Sequence, residues 1–363
     1  MGVKSLNTLI SNYTSNGEKK VHLSKFKGYK LAIDTNVYLY KYLYGKSNHI
    51  NGIFFMINKM KKFNIKPIFI FDGKPPEEKN DKIIQRKAIR NKLQQRLLNL
   101  KSDLTLQESE NDRQQIQDEI DNIEKKIMYV NKLVIEKTQN LFDHMGIAYI
   151  NADCEAEQYC SKLCRMGLVD GVVSEDTDTI ACGSKIVLRD FSNRDDNITY
   201  FSLDEILYDL NLSYSSFIDL CILLGNDYNN RPRGYGPDKI YELVQKYENI
   251  ENILDNGQIK YLNFDYNSIR NIIKLQNIDI DINLVQSQWN KNSNIENLIS
   301  FLEENSTIEK KTYLHRIKLM YNNKGDISPR SKFKVGDSPY LRNLKNSYSR
   351  FSFNDLNNFN CAY

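Results

Sequence analysis

The chain has 363 residues, 40% of them hydrophobic and 26% charged, with a formal net charge of +4. That composition describes a soluble globular protein of one large or two smaller domains, and it excludes a membrane span, which needs about 18 or more uncharged apolar residues in a row. Six cysteines (154, 160, 164, 182, 221 and 361) lack CxxC pairing and are too sparse for a disulfide scaffold, so reduced thiols in an intracellular protein are expected. The opening MGVKSLNTL has no apolar signal core, and Leu6 stands where a myristoylation motif needs Ser or Thr.

In chain order, Lys30–Asp34 (KLAID) is a short apolar run closed by an acid. A helical stretch follows from Ile53 to Phe63, then a second run, Pro67–Asp72 (PIFIFD), stopped by Gly73 and the pair Pro75-Pro76. From Lys79 to His144 the chain almost lacks Gly and Pro. Leu93, Leu97, Leu100 and Leu104, then Ile116, Ile120, Ile123 and Ile127, recur at helical spacing on either side of the polar LQESEND turn. This pattern predicts two amphipathic helices in a hairpin. Such a hairpin serves as a coiled-coil dimerisation arm or as a basic cover, and Lys79, Arg86 and Arg90 at i, i+7 and i+11 favour the cover.

Ile147–Ile150 is a third run, followed by Asp153, Glu155 and Glu157. Gly171–Val173 is a fourth, followed by Glu175, Asp176 and Asp178, with the helical stretch Gln158 to Met166 between them. Apolar runs alternating with helices predict an α/β fold with a mostly parallel central sheet flanked by helices. In such sheets ligands bind beyond the carboxyl ends of the strands, where these acids lie. Each cluster by itself reads equally well as a helix N-cap. Four strands ending alike argue for a shared site.

Farther on, an apolar helix ends at Gly225 before Asp227, and RPRGYGPDKI places Gly234, Gly236 and Pro237 just ahead of a helix opened by Asp238 and Lys239. Free backbone N–H groups at that helix start suit an anion, and Arg231, Arg233 and Lys239 suit a duplex backbone. Between Lys324 and Arg350, seven Lys or Arg stand against two Asp. This basic tail fits contact with a polyanion or plain solvation.

Seven acids, Asp34, Asp72, Glu155, Glu157, Asp176, Asp178 and Asp227, cannot all ionise on one rim without cations. Hard divalent ions with oxygen ligands answer that need, and two Mg²⁺ about 4 Å apart serve in-line phosphoryl displacement, with Mn²⁺ as a substitute. Glu155 and Glu157, two apart on a helix, are expected to diverge, giving one direct and one indirect ligand. The four histidines (22, 49, 144 and 315) read as structural or exposed.

The segments MGVKSL, AIDTNVYLY (32–40), PIFIFDGKPP (67–76), GIAYINADCEAEQYC (146–160), VSEDTDTIACGS (173–184) and DLCILLGNDYNNRPRGYGPDKI (219–240) together resemble the successive motifs of the XPG family of structure-specific nucleases, closest to the flap endonucleases. The resemblance implies a PIN-like nuclease core in two parts, 1–78 and 146–226, interrupted by a helical arch, 79–145. It further implies a helix-two-turn-helix element at 227–262 that grips duplex and commonly holds a K⁺ ion, C-terminal helices at 263–322 packing on the core, and a flexible basic tail at 323–363. Asp34, Asp72, Glu155 and Glu157 match the ligands of one Mg²⁺, and Asp176, Asp178 and Asp227 those of the other. Lys79 and Arg86 match the basic pair that steers the scissile phosphate. Gly2, Tyr40, Arg90, Arg231, Arg233, Gly234, Gly236 and Lys239 are expected to contact DNA, Tyr40 by stacking on a base.

The implied activity is Mg²⁺-dependent hydrolysis of DNA at 5′ flaps or single-strand/duplex junctions, in replication, repair or recombination, by a monomer acting on branched DNA away from any membrane. Exonuclease or junction-resolving action within the same family, a non-catalytic binder of branched DNA, and a phosphatase with Asp176 as nucleophile and Asp178 as acid/base are the competing readings. Two departures stand out. Only 38 positions separate Asp34 from Asp72, fewer than flap endonucleases usually have, which puts a strict double-flap preference in doubt. The tail's FNDLNNFN (353–360) keeps Leu356 and Phe359 at the spacing of a sliding-clamp box but has Phe353 for Gln and Asn360 for the second aromatic, so a sliding clamp is a weaker candidate partner.

Overall fold

The computed structural model describes residues 2–44, 48–106 and 109–322. Among these residues seven strands form one sheet in the order β1-β7-β6-β5-β2-β3-β4. They are β1 (Glu18–His22), β2 (Lys30–Asp34), β3 (Lys66–Phe71), β4 (Ala148–Asn151), β5 (Gly171–Val173), β6 (Ile186–Arg189) and β7 (Asn197–Ser202). The five strands from β6 to the β4 edge (β6, β5, β2, β3, β4) are mutually parallel, whereas β7 runs antiparallel to both of its neighbours, β6 and β1. β1, β6 and β7 add to the four runs read from the sequence. Four of the five residues of β1 are polar, so it lacks the continuous apolar signature of a strand buried on both faces.

Side chains alternate across the sheet as the pleat demands. Ala32, Ile68, Ile70 and Ile150 face one layer, where α7 (Ala156–Arg165) lies with Cys160 and Cys164. Phe69 and Phe71 face the other, where Phe142 of α6 (Lys132–Met145) stacks on Phe69 at 4.4 Å between ring centres. Gly146, in the left-handed region at φ 63°, ends α6 and turns the chain into β4. Helices α1 (Leu6–Tyr13), α2 (Thr35–Tyr44) and α3 (His49–Lys62) precede the insertion.

The hairpin consists of α4 (Asn80–Leu106) and α5 (Glu110–Ile127). Leu97, Ile120 and Ile123 are buried between the two, with Leu93, Leu100, Leu104, Ile116 and Ile127 packed around them. The expected apolar stripes are therefore spent on each other. The hairpin ends at Ile127, short of the expected His144, because α6 docks on α3 and on α15 (Ile295–Asn305) as part of the core.

After β5 a one-turn helix, α8 (Asp178–Ala181), leads to β6; α9 (Leu203–Leu210) and α10 (Tyr214–Leu224) follow β7. With α11 (Pro237–Tyr247), α12 (Ile250–Asp255) and α13 (Tyr266–Ile273) they enclose a second apolar core that includes Ile222, Ile240, Val244 and Ile273. Pro237 at the first turn of α11 has the backbone angle a helix start prefers. A buried ion pair ties this core: Arg270 donates to Asp219 at 2.9 and 2.8 Å and to Glu251 at 2.9 and 3.1 Å. The described chain closes with α14 (Ile282–Gln288), α15 and α16 (Lys310–Asn322). Among the described residues no single helix is long and apolar enough to cross a membrane. The basic tail, with its clamp-like segment, lies outside the described residues.

Candidate active site

The chain winds outward from β2 through β3 to β4, then returns to the other side of β2 to place β5 and β6. The direction reverses between β2 and β5, and such a switch point opens a crevice at the strands' carboxyl ends. Asp34 closes β2 there, buried at 2% exposure, and Ser174 of the neighbouring strand end donates to its Oδ2 at 2.9 Å. Asp72 follows β3 and accepts from Asn36 Nδ2 at 2.6 Å and from the Ala156 backbone N–H of α7 at 2.8 Å. Gly73 is required here, because a Cβ would run into the Ala152 carbonyl; its N–H instead bonds Cys154 O at 2.8 Å, drawing the β3 and β4 ends together.

Lys79 lies in the 3₁₀ turn Glu77–Lys79 just ahead of α4, and its side chain is 10% exposed. Its Nζ is 2.7 Å from Glu155, 3.3 Å from Glu157 and 3.7 Å from Asp227. The expected divergence of Glu155 and Glu157 does not occur. Glu155 is the N-cap of α7, with extended backbone, so both carboxylates reach the same ammonium. Arg86 also reaches Asp227, at 3.4 Å, from a side chain 57% exposed. Asp176 and Asp178 are buried, and the Asp178 N–H donates to Asp176 Oδ1 at 3.1 Å. Gly2, at φ +94°, packs against this pair so closely that a Cβ would strike Asp176 and Thr177. The first acid of the SEDTD segment takes a separate course: Glu175 turns away to Lys41 at 2.9 Å and to Tyr38 at 3.4 Å.

Electrostatics confirm the crowding. Burial, then the neighbouring Asp72, pushes Asp34 up to about 8 despite the Ser174 hydrogen bond. Burial and Asp176 do the same to Asp178, also to about 8. For Glu155 and Glu157 burial outweighs Lys79, and both are raised. The Lys79 ammonium loses solvation too, yet Glu157 and Glu155 more than compensate and hold it charged above its ordinary range.

The donors converging here are all carboxylate oxygens, the chemistry hard divalent cations take. Asp178 Oδ1 is buried with no hydrogen-bond partner among the described residues, an acceptor left for a ligand. The set therefore fits Mg²⁺ or Mn²⁺. No three His, Cys, Asp or Glu side chains among the described residues have closed to metal-ligand spacing; three of the seven acids are gathered on the Lys79 ammonium. Sequence reasoning missed Tyr228, whose hydroxyl donates to Glu155 at 3.2 Å and accepts from Gln158 at 2.9 Å, and it missed Asn36 and Ser174. Their residue types carry no signal without the fold.

The remaining expected DNA contacts differ in their surroundings. Tyr40 is 45% exposed, whereas Tyr38 beside it is fully buried. Arg90 lies over the Tyr129 ring at 5.0 Å. Arg231 departs from expectation: it caps α10 through Leu224 O at 3.0 Å and binds Ser5 Oγ at 2.8 Å, so its guanidinium serves the fold. Arg233 is exposed, and Lys239 pairs with Glu242 at 3.1 Å on the surface. Gly234 needs glycine for its φ of +86°, whereas Gly236, the N-cap of α11 at φ −77°, does not, and a Cβ there would meet open space.

Residues 1–93 match the XPG N-terminal domain and residues 146–227 the XPG I-region. Flap endonuclease 1 of Entamoeba histolytica is 33% identical over 312 residues, 80% of each chain. This chain belongs to the XPG family of nucleases. It is accordingly a hydrolase, an endonuclease. Among solved structures, flap endonuclease-1 from Methanococcus jannaschii superposes with a TM-score of 0.62 at 24% identity, covering 86% of this chain and 97% of that one. The catalytic core of Rad2 in complex with DNA substrate superposes at 0.61 and 21% identity, covering 88% and 100%. Both share the fold. The family match favours the nuclease over the phosphatase alternative.

Proposed function

We propose that this XPG-family endonuclease is a structure-specific 5′ nuclease that hydrolyses DNA at 5′ flaps or single-strand/duplex junctions, using two Mg²⁺ ions, in replication or repair. The observation that carries the reading is the electrostatic crowding of seven carboxylates from β2, β3, α7, the β5–α8 turn and the end of α10 at one crevice, next to the basic first helix of the hairpin. The likeness to enzymes named for flap cleavage supports the choice of substrate.

Asp34, Asp72, Glu155 and Glu157 would hold one ion and Asp176, Asp178 and Asp227 the other. Bound there, the ions supply an activated water and neutralise charge on the attacking and leaving oxygens. The protein's own groups do the rest. Ser174, Asn36 and the α7 N-terminus fix the orientation of Asp34 and Asp72. Lys79, released from its carboxylates, and Arg86 provide the positive charge that binds the scissile phosphate. The open Gly234–Gly236 turn admits a duplex phosphate to the N-terminus of α11, beside Arg233 and Lys239, and a K⁺ ion at that turn belongs to the same reading.

Labelled flap, nicked, gapped, bubble and four-way substrates, incubated with Mg²⁺ or EDTA and with product ends mapped, test the proposal. Cleavage one or a few nucleotides from the junction of 5′-flapped DNA, abolished by EDTA and by Asp178→Asn with binding retained, is expected. Undiminished cleavage by Asp178→Asn would reject the carboxylate assignment, and cutting confined to four-way junctions would reassign the substrate.

A further inference from the structure

Beside the carboxylate crevice lies an open cavity of about 440 Å³, lined by Tyr40, Lys41 and Tyr44 of α2, Lys125 and Met128 at the foot of the hairpin, and Glu175. It falls within the roughly 300–1,000 Å³ of small-ligand sites. Tyr40 and Tyr44 are 45% and 58% exposed, large aromatic surfaces for the protein to leave in water. Neither ring stacks on another aromatic side chain among the described residues, and no hydrogen bond holds either one. They stand four residues apart on one helix face, so their attachment points are about 6 Å apart along the axis. A planar base inserted between two rings needs about twice the 3.4 Å stacking distance, close to that separation.

Charge agrees with such an occupant. Lys41 is paired with Glu175, whereas Lys125 has no ion-pair partner among the described residues and stands at the cavity rim. One side of the cavity, Glu175, immediately precedes the buried carboxylate Asp176. The cavity and the crevice are thus joined through the Glu175–Asp176 segment, close enough for one strand to reach both.

We propose that Tyr44, together with Tyr40, sandwiches one unpaired nucleobase of the 5′ strand, with Lys125 against an adjoining phosphate. The inference rests on the nuclease reading above and adds to the Tyr40 stack implied by the family resemblance a second ring, Tyr44, on the other face of the base. Tyr44 is a binding residue for unpaired strand and contributes nothing to duplex.

The test compares the full-length wild type, Tyr44→Leu and Tyr44→Phe by fluorescence anisotropy in EDTA and by cleavage in Mg²⁺. The probes are a 5′-flapped duplex, the same flap with an abasic residue moved through its first positions, and a nicked duplex without a flap. Tyr44→Leu is expected to weaken flap binding by about 5- to 150-fold, as loss of one base–aromatic stack does. Tyr44→Phe keeps wild-type affinity, and both variants bind the nicked duplex normally, which also verifies folding. One abasic position should weaken the wild type equally and add nothing to Tyr44→Leu. Wild-type flap affinity in Tyr44→Leu, an equal loss in Tyr44→Phe, or indifference to every abasic position overturns the sandwich while leaving the nuclease reading intact. Failure of the wild type to bind or cut any probe overturns both.

Discussion

Replacing Lys79 by Met keeps the length of the side chain and removes the charge on which three carboxylates converge. At an effective dielectric near 20, its contacts of 2.7, 3.3 and 3.7 Å correspond to about 6, 5 and 4.5 kcal/mol of gross attraction. Desolvation of the ammonium and proton uptake by the released acids cancel most of this, and removing one partner of a buried pair typically costs about 3–5 kcal/mol. Lys79→Met should therefore lose stability in that range, read as a lower urea midpoint in EDTA. Divalent ions no longer have to displace the ammonium, so their affinity should rise. A tenfold tighter site adds about 1.4 kcal/mol of stability at a given saturating Mg²⁺ concentration. Urea unfolding of both proteins across a Mg²⁺ series, followed by circular dichroism, measures the two effects separately. The reasoning fails if the variant lies within 1 kcal/mol of wild type in EDTA, or if Mg²⁺ stabilises both proteins equally.

Arg270→Met leaves Asp219 buried and unpaired beneath α12, and should cost about 3–5 kcal/mol in urea unfolding; a loss under 1 kcal/mol would show that the pair is dispensable. Ile123→Ala opens the small α4–α5 core and should cost about 2–5 kcal/mol locally. Amide exchange should then accelerate through α4 and α5 and stay unchanged in β2 and β3, and uniform acceleration would contradict the hairpin's independence. Burial, then Lys137, lowers His49 from 6.5 to about 4. The unfolded chain therefore takes up this proton at higher pH than the folded one, and stability present above pH 6.5 is lost as pH falls toward 4. His49→Phe should flatten that part of the urea-midpoint profile; an unchanged slope would place the titration elsewhere.

The sequence alone determined the parts that depend on local pattern. Unbroken apolar runs such as KLAID and GVV are buried on both faces whatever lies beside them, and β2 and β5 match those runs residue for residue. The hairpin's Leu and Ile stripes likewise carry their own period. Tertiary structure decided what depends on distance between chain segments. The reversal of strand order between β2 and β5 puts residues 140 positions apart, Asp34 and Ser174, in hydrogen-bond contact. An N-cap conformation, invisible in a helical reading, makes Glu155 and Glu157 converge. Arg231 looked like a phosphate ligand by type and neighbourhood, but the open carbonyl of Leu224 and the hydroxyl of Ser5 claimed it. Residue type fixes what a side chain can bind, and the fold alone fixes which partner comes within reach first.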